Sequence, residues 1–223
     1  NRRIERSGRQ KLHWPLVSII GYTNSGKSTL MNALTGAGVL AEDKLFATLD
    51  PTTRKHRLPN NQNILLSDTV GFLRKLPHHL VESFKATLEE TAEADLLLHV
   101  VDVSHPQASE QIKAVEVVLH DIESWGKPTV IALNKVDRLE EDSPTLAKFH
   151  NEFPDAVPIS AKFGKSLDSL QEEIANKLRD RRVDVTLSIP ANRAQTIALV
   201  YRSGYVTARE HENGKVILKA QIP

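Results

Sequence analysis

One short string near the beginning of the chain limits its possible folds more than any other feature. Leu16–Ile20 is a continuous apolar run, the pattern of a strand buried on both faces, and a helix is expected over Ser28–Leu34. Between them lies the string Gly21-Tyr22-Thr23-Asn24-Ser25-Gly26-Lys27-Ser28, which fits G-x-x-x-x-G-K-[ST] in the strand-turn-helix context that this pattern requires. The alternative, a glycine-containing turn with an exposed lysine, leaves that context without explanation. The sequence therefore predicts a phosphate-binding loop, or P-loop.

The residue types of this loop suit a polyphosphate ligand. Its glycines let backbone N–H groups turn toward the phosphates, and the start of the following helix adds a favourable dipole. Lys27 supplies a positive charge to the β and γ phosphates, and the Ser28 hydroxyl binds Mg²⁺. We expect every residue from Gly21 to Ser28 to contact a nucleotide, with Lys27 acting in catalysis.

Further apolar runs alternate with amphipathic helical patterns along the chain. Strands are expected at Ile64–Leu66, Leu96–Val101 and Thr129–Leu133. Helices are expected over Leu80–Ala94, Ile112–Ile122 and Leu167–Leu178. This alternation predicts right-handed βαβ units and an α/β fold of the P-loop NTPase type, with a mostly parallel, doubly wound sheet.

The composition changes after the charged segment Lys177–Arg182. Strands are expected at Val183–Ile189, Tyr205–Ala208 and Val216–Ala220, with one helix over Pro190–Arg202 and a hairpin turn at Glu212-Asn213-Gly214. This pattern predicts a small α+β domain of βαββ order over residues 183–223. Residues 16–182 form the larger domain, and the basic residues 1–15 are interpreted as the remnant of a linker.

Bulk composition excludes several classes of protein. With 29 basic and 28 acidic residues, no whole-molecule field favours nucleic acid, so any such contact must be a local patch. The chain has no cysteine, which excludes a disulfide framework. No apolar run approaches the roughly 20 residues of a membrane helix. We expect a monomeric cytoplasmic protein with no membrane span.

Two later segments have the chemistry to select a base. In Asn134-Lys135-Val136-Asp137, which follows a predicted strand, the Asp137 carboxylate can accept two hydrogen bonds from guanine, a pairing that adenine does not offer. Asn134 would brace the loop, and Lys135 would lay its aliphatic stem over the base. In Ser160-Ala161-Lys162, the Ala161 N–H would donate to guanine O6. The sequence thus predicts a guanine site.

Two more segments would respond to the γ-phosphate. Asp68-Thr69-Val70-Gly71 ends a predicted strand, where the Asp68 carboxylate can reach the metal and the Gly71 N–H can reach the phosphate. The segment Phe46-Ala47-Thr48-Leu49-Asp50-Pro51-Thr52-Thr53-Arg54 is polar and loop-like. One of its threonines should complete the Mg²⁺ shell, and spacing alone does not say which.

These segments, in this order, resemble the translation-factor-like GTPases, whose nucleotide domain is a Ras-like G domain. The strings GYTNSGKSTLMNALTG, LFATLDPTTR, DTVGFLRKLPHHLVESFKATLEE and NKVD resemble those of the HflX family of ribosome-associated GTPases, over about Leu16 to Arg182. The resemblance assigns the metal-binding and catalytic threonine to Thr48, ahead of Thr52 and Thr53, and places Phe46 to Asp50 at the nucleotide.

The resemblance also implies partners and an activity. Family members are understood to bind the large ribosomal subunit and to split ribosomes when loaded with GTP, and a longer N-terminal region normally precedes this part. In GTPases that resemble this one, the residue at the position of Asn24 helps to hold K⁺, although an asparagine there also simply tolerates a tight turn. Phe72 follows Gly71 where Ras-like switches carry a glutamine that orients water, so we expect slow GTP hydrolysis that a partner stimulates.

Two other functions are compatible with the same motifs. The first is a GTPase of ribosome assembly or RNA modification, for which a free ribosomal particle or an RNA would be the partner. The second is a binding module that holds GTP structurally and hardly hydrolyses it.

Overall fold

The structure is a computed structural model, and it describes residues 14–36, 52–69, 71, 91–140, 143–179, 183–212 and 214–222. The first group of elements is β1 (Leu16–Ile20), α1 (Lys27–Thr35), β2 (Thr52–Arg57), β3 (Asn63–Asp68), β4 (Leu96–Asp102), α2 (Ala108–Asp121), β5 (Thr129–Asn134), α3 (Pro144–Glu152), β6 (Val157–Pro158) and α4 (Leu167–Arg179). The second group is β7 (Val183–Pro190), α5 (Ala194–Ser203), β8 (Tyr205–Glu212) and β9 (Lys215–Ile222).

The first group builds a six-stranded sheet in the order β2-β3-β1-β4-β5-β6. Every neighbouring pair in it is parallel except β2 with β3. The register places Ile19 opposite Asp68 and Asp102 opposite Asn134. The carboxyl ends of β1, β3, β4 and β5 therefore meet at one edge of the sheet, where open α/β sheets bind their ligands. The predicted α/β, mostly parallel fold is confirmed.

Apolar side chains bury this sheet on both faces. On one face, Val17, Ile19 and Leu98 pack with residues of α1 and α4, including Leu30 and Ile174. On the other face, alternate residues of the same strands, such as Ile20 and Leu97, pack against Val115 and Leu119 of α2. Burial on both faces explains why these strands are continuous apolar runs.

Three of these elements were not predicted from the sequence: β2, α3 and the two-residue strand β6. Thr52–Arg54 was expected to lie in a loop but forms the start of β2, an edge strand whose exposed polar side chains carry no apolar alternation. Its backbone hydrogen bonds to β3 and its β-branched threonines favour a strand despite that polarity. α3 was missed because it is short and Phe149 is the one residue of it that is buried, so the helix has no repeated apolar pattern.

The helix expected over Leu80–Ala94 lies largely outside the described residues. Residues 80–90 are not described; residues 91–93 are helical and Ala94 is not. Within the ranges that the structure describes, no helix is long and apolar enough to span a membrane.

The second group forms a three-stranded antiparallel sheet in the order β7-β9-β8 with α5 on one face. Ile197 and Val200 of α5 pack with Val216 and Leu218 of β9. The helix begins at Ala194 rather than at Pro190, which is the last residue of β7 and pairs with Lys215. This arrangement is the small C-terminal α+β unit expected from the sequence, while its boundary at residue 183 stays a prediction.

Candidate nucleotide-binding site

The loop between β1 and α1 has a backbone that requires glycine at two positions. Gly21 and Gly26 have φ angles of 148° and 97°, values that side chains disfavour. A Cβ at Gly21 would collide with the backbone oxygen of Val100, and one at Gly26 would collide with the Asn134 amide nitrogen. Asn24 also has a positive φ of 61°, which asparagine tolerates better than most residues. The loop is therefore packed tightly against the ends of β4 and β5.

Lys27, the first residue of α1, is only 7% exposed. Its ammonium donates hydrogen bonds to the backbone oxygens of Tyr22 (2.9 Å) and Gly21 (3.3 Å), so it lies inside the loop. Burial lowers the pKa of Lys27 to about 8; the Asp68 carboxylate opposes this shift and the Lys135 ammonium adds to it. A nearby anion would favour the charged form of this amine.

Two oxygen donors meet at the end of β3. The Ser28 hydroxyl donates to Asp68 Oδ2 at 2.7 Å, and Asp68 is 1% exposed. A hydroxyl beside a carboxylate is the kind of donor set that Mg²⁺ takes together with phosphate oxygens, so these residues fit the ion that the fold family implies. Thr69 is structural here, because its hydroxyl donates to the backbone oxygen of Ile19 at 2.7 Å and ties the end of β3 to β1.

Gly71 packs directly against the P-loop. A Cβ at this position would lie 2.7 Å from Thr23 Cα and 3.0 Å from Lys27 Nζ. No larger residue fits without moving the loop. The structure therefore brings the end of the Asp68–Gly71 segment beside the ammonium of Lys27.

Two consecutive side chains of the segment after β5 form hydrogen bonds to the P-loop. Asn134 Nδ2 donates to the backbone oxygen of Ser25 at 2.8 Å, and Lys135 Nζ donates to that of Asn24 at 2.7 Å. Lys135 has a positive φ of 66° and precedes the 3-10 turn Val136–Arg138. The bracing role predicted for Asn134 thus has a specific geometry in the structure.

Ser160 and Ala161 hold this same segment from the other side. The Ser160 hydroxyl donates to Asp137 Oδ1 at 2.5 Å, and the Val136 N–H donates to the backbone oxygen of Ile159 at 3.2 Å. The Ala161 N–H, which was expected to donate to guanine O6, donates here to Asn134 Oδ1 at 3.0 Å. The loop therefore positions Asn134 and Asp137 in addition to any contact with a base.

Lys162 differs from its two neighbours. Its side chain is exposed, and its ammonium lies over the ring of Phe163, 5.1 Å from the centroid. It makes none of the contacts that join Ser160 and Ala161 to the Asn134–Asp137 segment.

Sequence reasoning missed Asp102, the last residue of β4. Its Oδ2 lies 2.7 Å from Lys135 Nζ, while its Oδ1 accepts hydrogen bonds from the Ser104 N–H (3.0 Å) and hydroxyl (2.6 Å). One feature of the sequence could have identified Asp102: it is an acidic residue at the end of a predicted buried strand, as Asp68 is. The ends of these strands meet at the edge of the sheet where the other motifs lie.

His99 was also missed. It is 5% exposed on β4, and burial lowers its pKa to about 4, with a smaller contribution from the Lys27 charge. A histidine within an apolar strand gives no motif that could have identified it.

Several predicted site residues lie outside the described part of the chain. They are Phe46, Ala47, Thr48, Leu49, Asp50, Val70 and Phe72. Thr52 and Thr53, the two other threonine candidates, lie on β2 opposite Asp68 and Ser67.

The fold and the arrangement of this edge define the class of P-loop GTPases. Residues 16–135 match the family described as 50S ribosome-binding GTPase, and residues 146–223 match the HflX C-terminal domain. The chain belongs to the HflX family of ribosome-binding GTPases.

Relatives and solved structures agree with this assignment. The GTPase HflX of Lacrimispora saccharolytica is 44% identical over 223 residues, which is 100% of this chain and 52% of that protein. That of Caldanaerobacter subterraneus is 44% identical over 222 residues, 100% of this chain and 50% of that protein. A GTP-binding protein from Sulfolobus solfataricus, solved with GDP, is 30% identical with a TM-score of 0.61, covering 81% of this chain and 58% of that one. The chain thus spans about half the length of the relatives it matches.

Proposed function

We propose that this chain binds guanine nucleotides with Mg²⁺, hydrolyses GTP to GDP and phosphate, and acts as a switch on the large ribosomal subunit. One observation carries the nucleotide part of this proposal: Asn134 and Lys135 donate to the P-loop oxygens of Ser25 and Asn24 at 2.8 and 2.7 Å. These bonds place the base-selecting carboxylate of Asp137 on a segment fixed to the phosphate loop.

Selection of guanine rests on Asp137. Its carboxylate, held at Oδ1 by the Ser160 hydroxyl, retains acceptor capacity for the N1–H and exocyclic amine of guanine. Adenine presents no matching pair of donors, so ATP should bind poorly. The Ala161 N–H would then donate to two acceptors, Asn134 Oδ1 and guanine O6.

Hydrolysis rests on charge stabilisation around the phosphates. Lys27 and the P-loop N–H groups would stabilise the negative charge that develops as water attacks the γ-phosphate, and the Gly71 N–H and Thr48 would contact that phosphate. Ser28, Asp68 and Thr48 would hold Mg²⁺, which would neutralise phosphate charge. Phe72 offers no hydrogen bond to the attacking water, so turnover should be slow until a partner supplies the missing group.

Asn24 is the residue proposed to help hold K⁺. Its positive φ of 61° also supports the simpler interpretation, an asparagine that suits a tight turn. Replacing K⁺ by Na⁺ in a turnover assay distinguishes the two: equal rates would remove the K⁺ site.

The ribosomal part of the proposal is supported by the family. The matching family is that of the 50S ribosome-binding GTPases, and the relatives reported above are HflX GTPases. The finer activity that we propose is the splitting of stalled or idle ribosomes. We also propose that the protein is cytoplasmic and monomeric, and that its domains are residues 1–15, 16–182 and 183–223. The rival functions are a GTPase of ribosome assembly or RNA modification, and a GTP-holding module with little turnover.

Phosphate release tests these alternatives in one experiment. The native chain and Asp137→Asn are assayed with GTP, ATP and xanthosine triphosphate, with and without purified large subunits. We expect slow release from GTP, none above background from ATP, stimulation by large subunits, and a preference of Asp137→Asn for the xanthine nucleotide, because an amide replaces an acceptor by a donor.

Each part of the proposal can fail separately in this assay. Comparable turnover of ATP and GTP would exclude guanine selection by Asp137. Turnover of GTP that large subunits leave unchanged would exclude the ribosomal switch, and no turnover in either condition would favour the structural binding module.

A further inference from the structure

The loop after β6 forms a short, closed projection. Ser160 and Lys165 form an antiparallel bridge with backbone N–H to oxygen distances of 3.2 and 3.1 Å. Inside it, the Phe163 N–H donates to the Ser160 hydroxyl at 3.3 Å, and Gly164 has a φ of 70° that completes the turn. We call residues 162–165 the tip. These bonds fix the backbone of the loop, so the loop would lose little conformational freedom when a partner binds it.

An aromatic ring and two positive charges occupy this tip. Phe163 is 68% exposed, more than any other large apolar side chain in the described part of the chain. The Lys162 ammonium lies 5.1 Å from the centre of its ring, and Lys165 is also exposed. Within the ranges that the structure describes, neither lysine forms an ion pair or a side-chain hydrogen bond.

Two carboxylates beside this loop form hydrogen bonds with other groups, and among the described residues neither is ion-paired with Lys162 or Lys165. Asp137 accepts the Ser160 hydroxyl at 2.5 Å, and Asp168, at the start of α4, lies 3.5 Å from the Gln171 amide nitrogen. The tip thus carries two exposed positive charges beside an exposed ring, on a chain whose overall charge is close to neutral.

We propose that this tip is a contact for RNA of the large ribosomal subunit, in which an unpaired base stacks on Phe163 and flanking phosphates lie near Lys162 and Lys165. Stacking on an aromatic face with lysines along the backbone is how proteins bind unpaired RNA regardless of sequence. An apolar protein surface would bury the ring but would offer no anion to the two lysines beside it, whereas RNA carries a phosphate at every nucleotide. The proposal rests on the ribosome association proposed above.

Binding to purified large subunits in the presence of a non-hydrolysable GTP analogue tests the proposal. We expect Phe163→Ala to weaken the affinity about 5- to 150-fold, the range of one base–aromatic stack, and Phe163→Trp to retain it. Lys162→Gln and Lys165→Gln together should lower the slope of log affinity against log salt by about two. GDP affinity should stay at the native value in Phe163→Ala, which shows that the variant is folded.

Trp125→Ala is the matched control, because Trp125 is a comparably exposed aromatic residue, at 62%, outside the tip. It should bind large subunits like the native chain. If Phe163→Ala binds as tightly as the native chain, or no more weakly than Trp125→Ala, the tip is not a contact.

A photoreactive phenylalanine at position 163 identifies the partner. Crosslinking to ribosomal RNA supports the proposal, whereas crosslinking to a ribosomal protein alone, or none on bound subunits, overturns it. A native chain that fails to bind large subunits at all would instead overturn the ribosome association, and the tip proposal with it.

Discussion

The ammonium of Lys135 lies 2.7 Å from a carboxylate oxygen of Asp102, and the two side chains are only 14% and 11% exposed. They extend from the ends of neighbouring strands, since Asp102 is paired with Asn134 in the sheet. The same ammonium donates to the Asn24 oxygen of the P-loop. Asp102 thus holds the lysine that joins the base-recognition segment to the phosphate loop.

Asp102→Asn should therefore lower both stability and nucleotide affinity. The substitution keeps the shape and an acceptor for Ser104 but removes the charge that pairs with Lys135, so we expect a loss of about 1–3 kcal/mol in the free energy of unfolding and weaker GDP binding. Urea unfolding and calorimetry measure the two effects.

The matched control is Asp155→Asn. Asp155 also pairs with a lysine, Lys177, at 3.1 Å, but it is 77% exposed. An exposed pair contributes little, so this variant should shift the unfolding free energy by less than about 0.5 kcal/mol and leave GDP affinity unchanged. Equal effects of the two substitutions would contradict the role assigned to Asp102.

Some residues of the site could be predicted from the sequence and others could not, depending on whether they belong to a contiguous motif. The P-loop, Asp68 and the Asn134–Asp137 segment were predicted because each is a contiguous string at the end of an apolar strand, and strand ends meet in space. Asp102 was missed because it is a single acidic residue outside any string. The contact between Ala161 and Asn134 joins two loops 27 residues apart, and no spacing rule encodes it. β2 was missed because an edge strand can be polar on both faces.

Gly26→Ala should cost nucleotide binding far more than Gly36→Ala does. The two glycines flank α1 and both have positive φ, 97° and 65°, so alanine at either position costs about 1–2 kcal/mol of stability. Only at Gly26 would the new Cβ also collide with the amide of Asn134; at Gly36 it meets nothing within 4 Å. Displacing Asn134 breaks its bond to Ser25. Similar GDP affinities for the two variants would mean that Asn134 can move without consequence.

Ser160→Ala should weaken the binding of guanine nucleotides by about 10- to 100-fold, because a hydrogen bond to a charged group contributes about 1.5–3 kcal/mol and here it orients Asp137. Titration with GDP measures the effect. Ser109→Ala serves as the control, since the Ser109 hydroxyl accepts a hydrogen bond from the exposed Lys148 at 3.2 Å, away from the nucleotide segments. Unchanged GDP affinity in Ser160→Ala would show that Asp137 holds its position without Ser160.

His99→Leu should make the chain more tolerant of acid. The pKa of His99 is lowered from 6.5 to about 4 in the folded protein, so between these values the unfolded chain binds a proton that the folded chain does not. Stability present above pH 6.5 is therefore lost as the pH falls to 4, by up to about 3 kcal/mol from this group. Leucine removes that contribution, and urea unfolding at several pH values measures the difference between the two curves. If the unfolding free energy fell equally with pH in both proteins, the contribution assigned to His99 would be wrong.

The substitution Lys27→Met tests what lowers the pKa of His99. Burial is the main reason for the low pKa of His99, and the positive charge of Lys27 is the second. Lys27→Met removes that charge while keeping an apolar stem of similar length, so the pKa of His99 should rise but stay below 6.5 because burial persists. An NMR titration of the imidazole protons follows this directly. A pKa that does not move in Lys27→Met would mean that the P-loop charge does not reach β4, and that burial alone keeps His99 neutral.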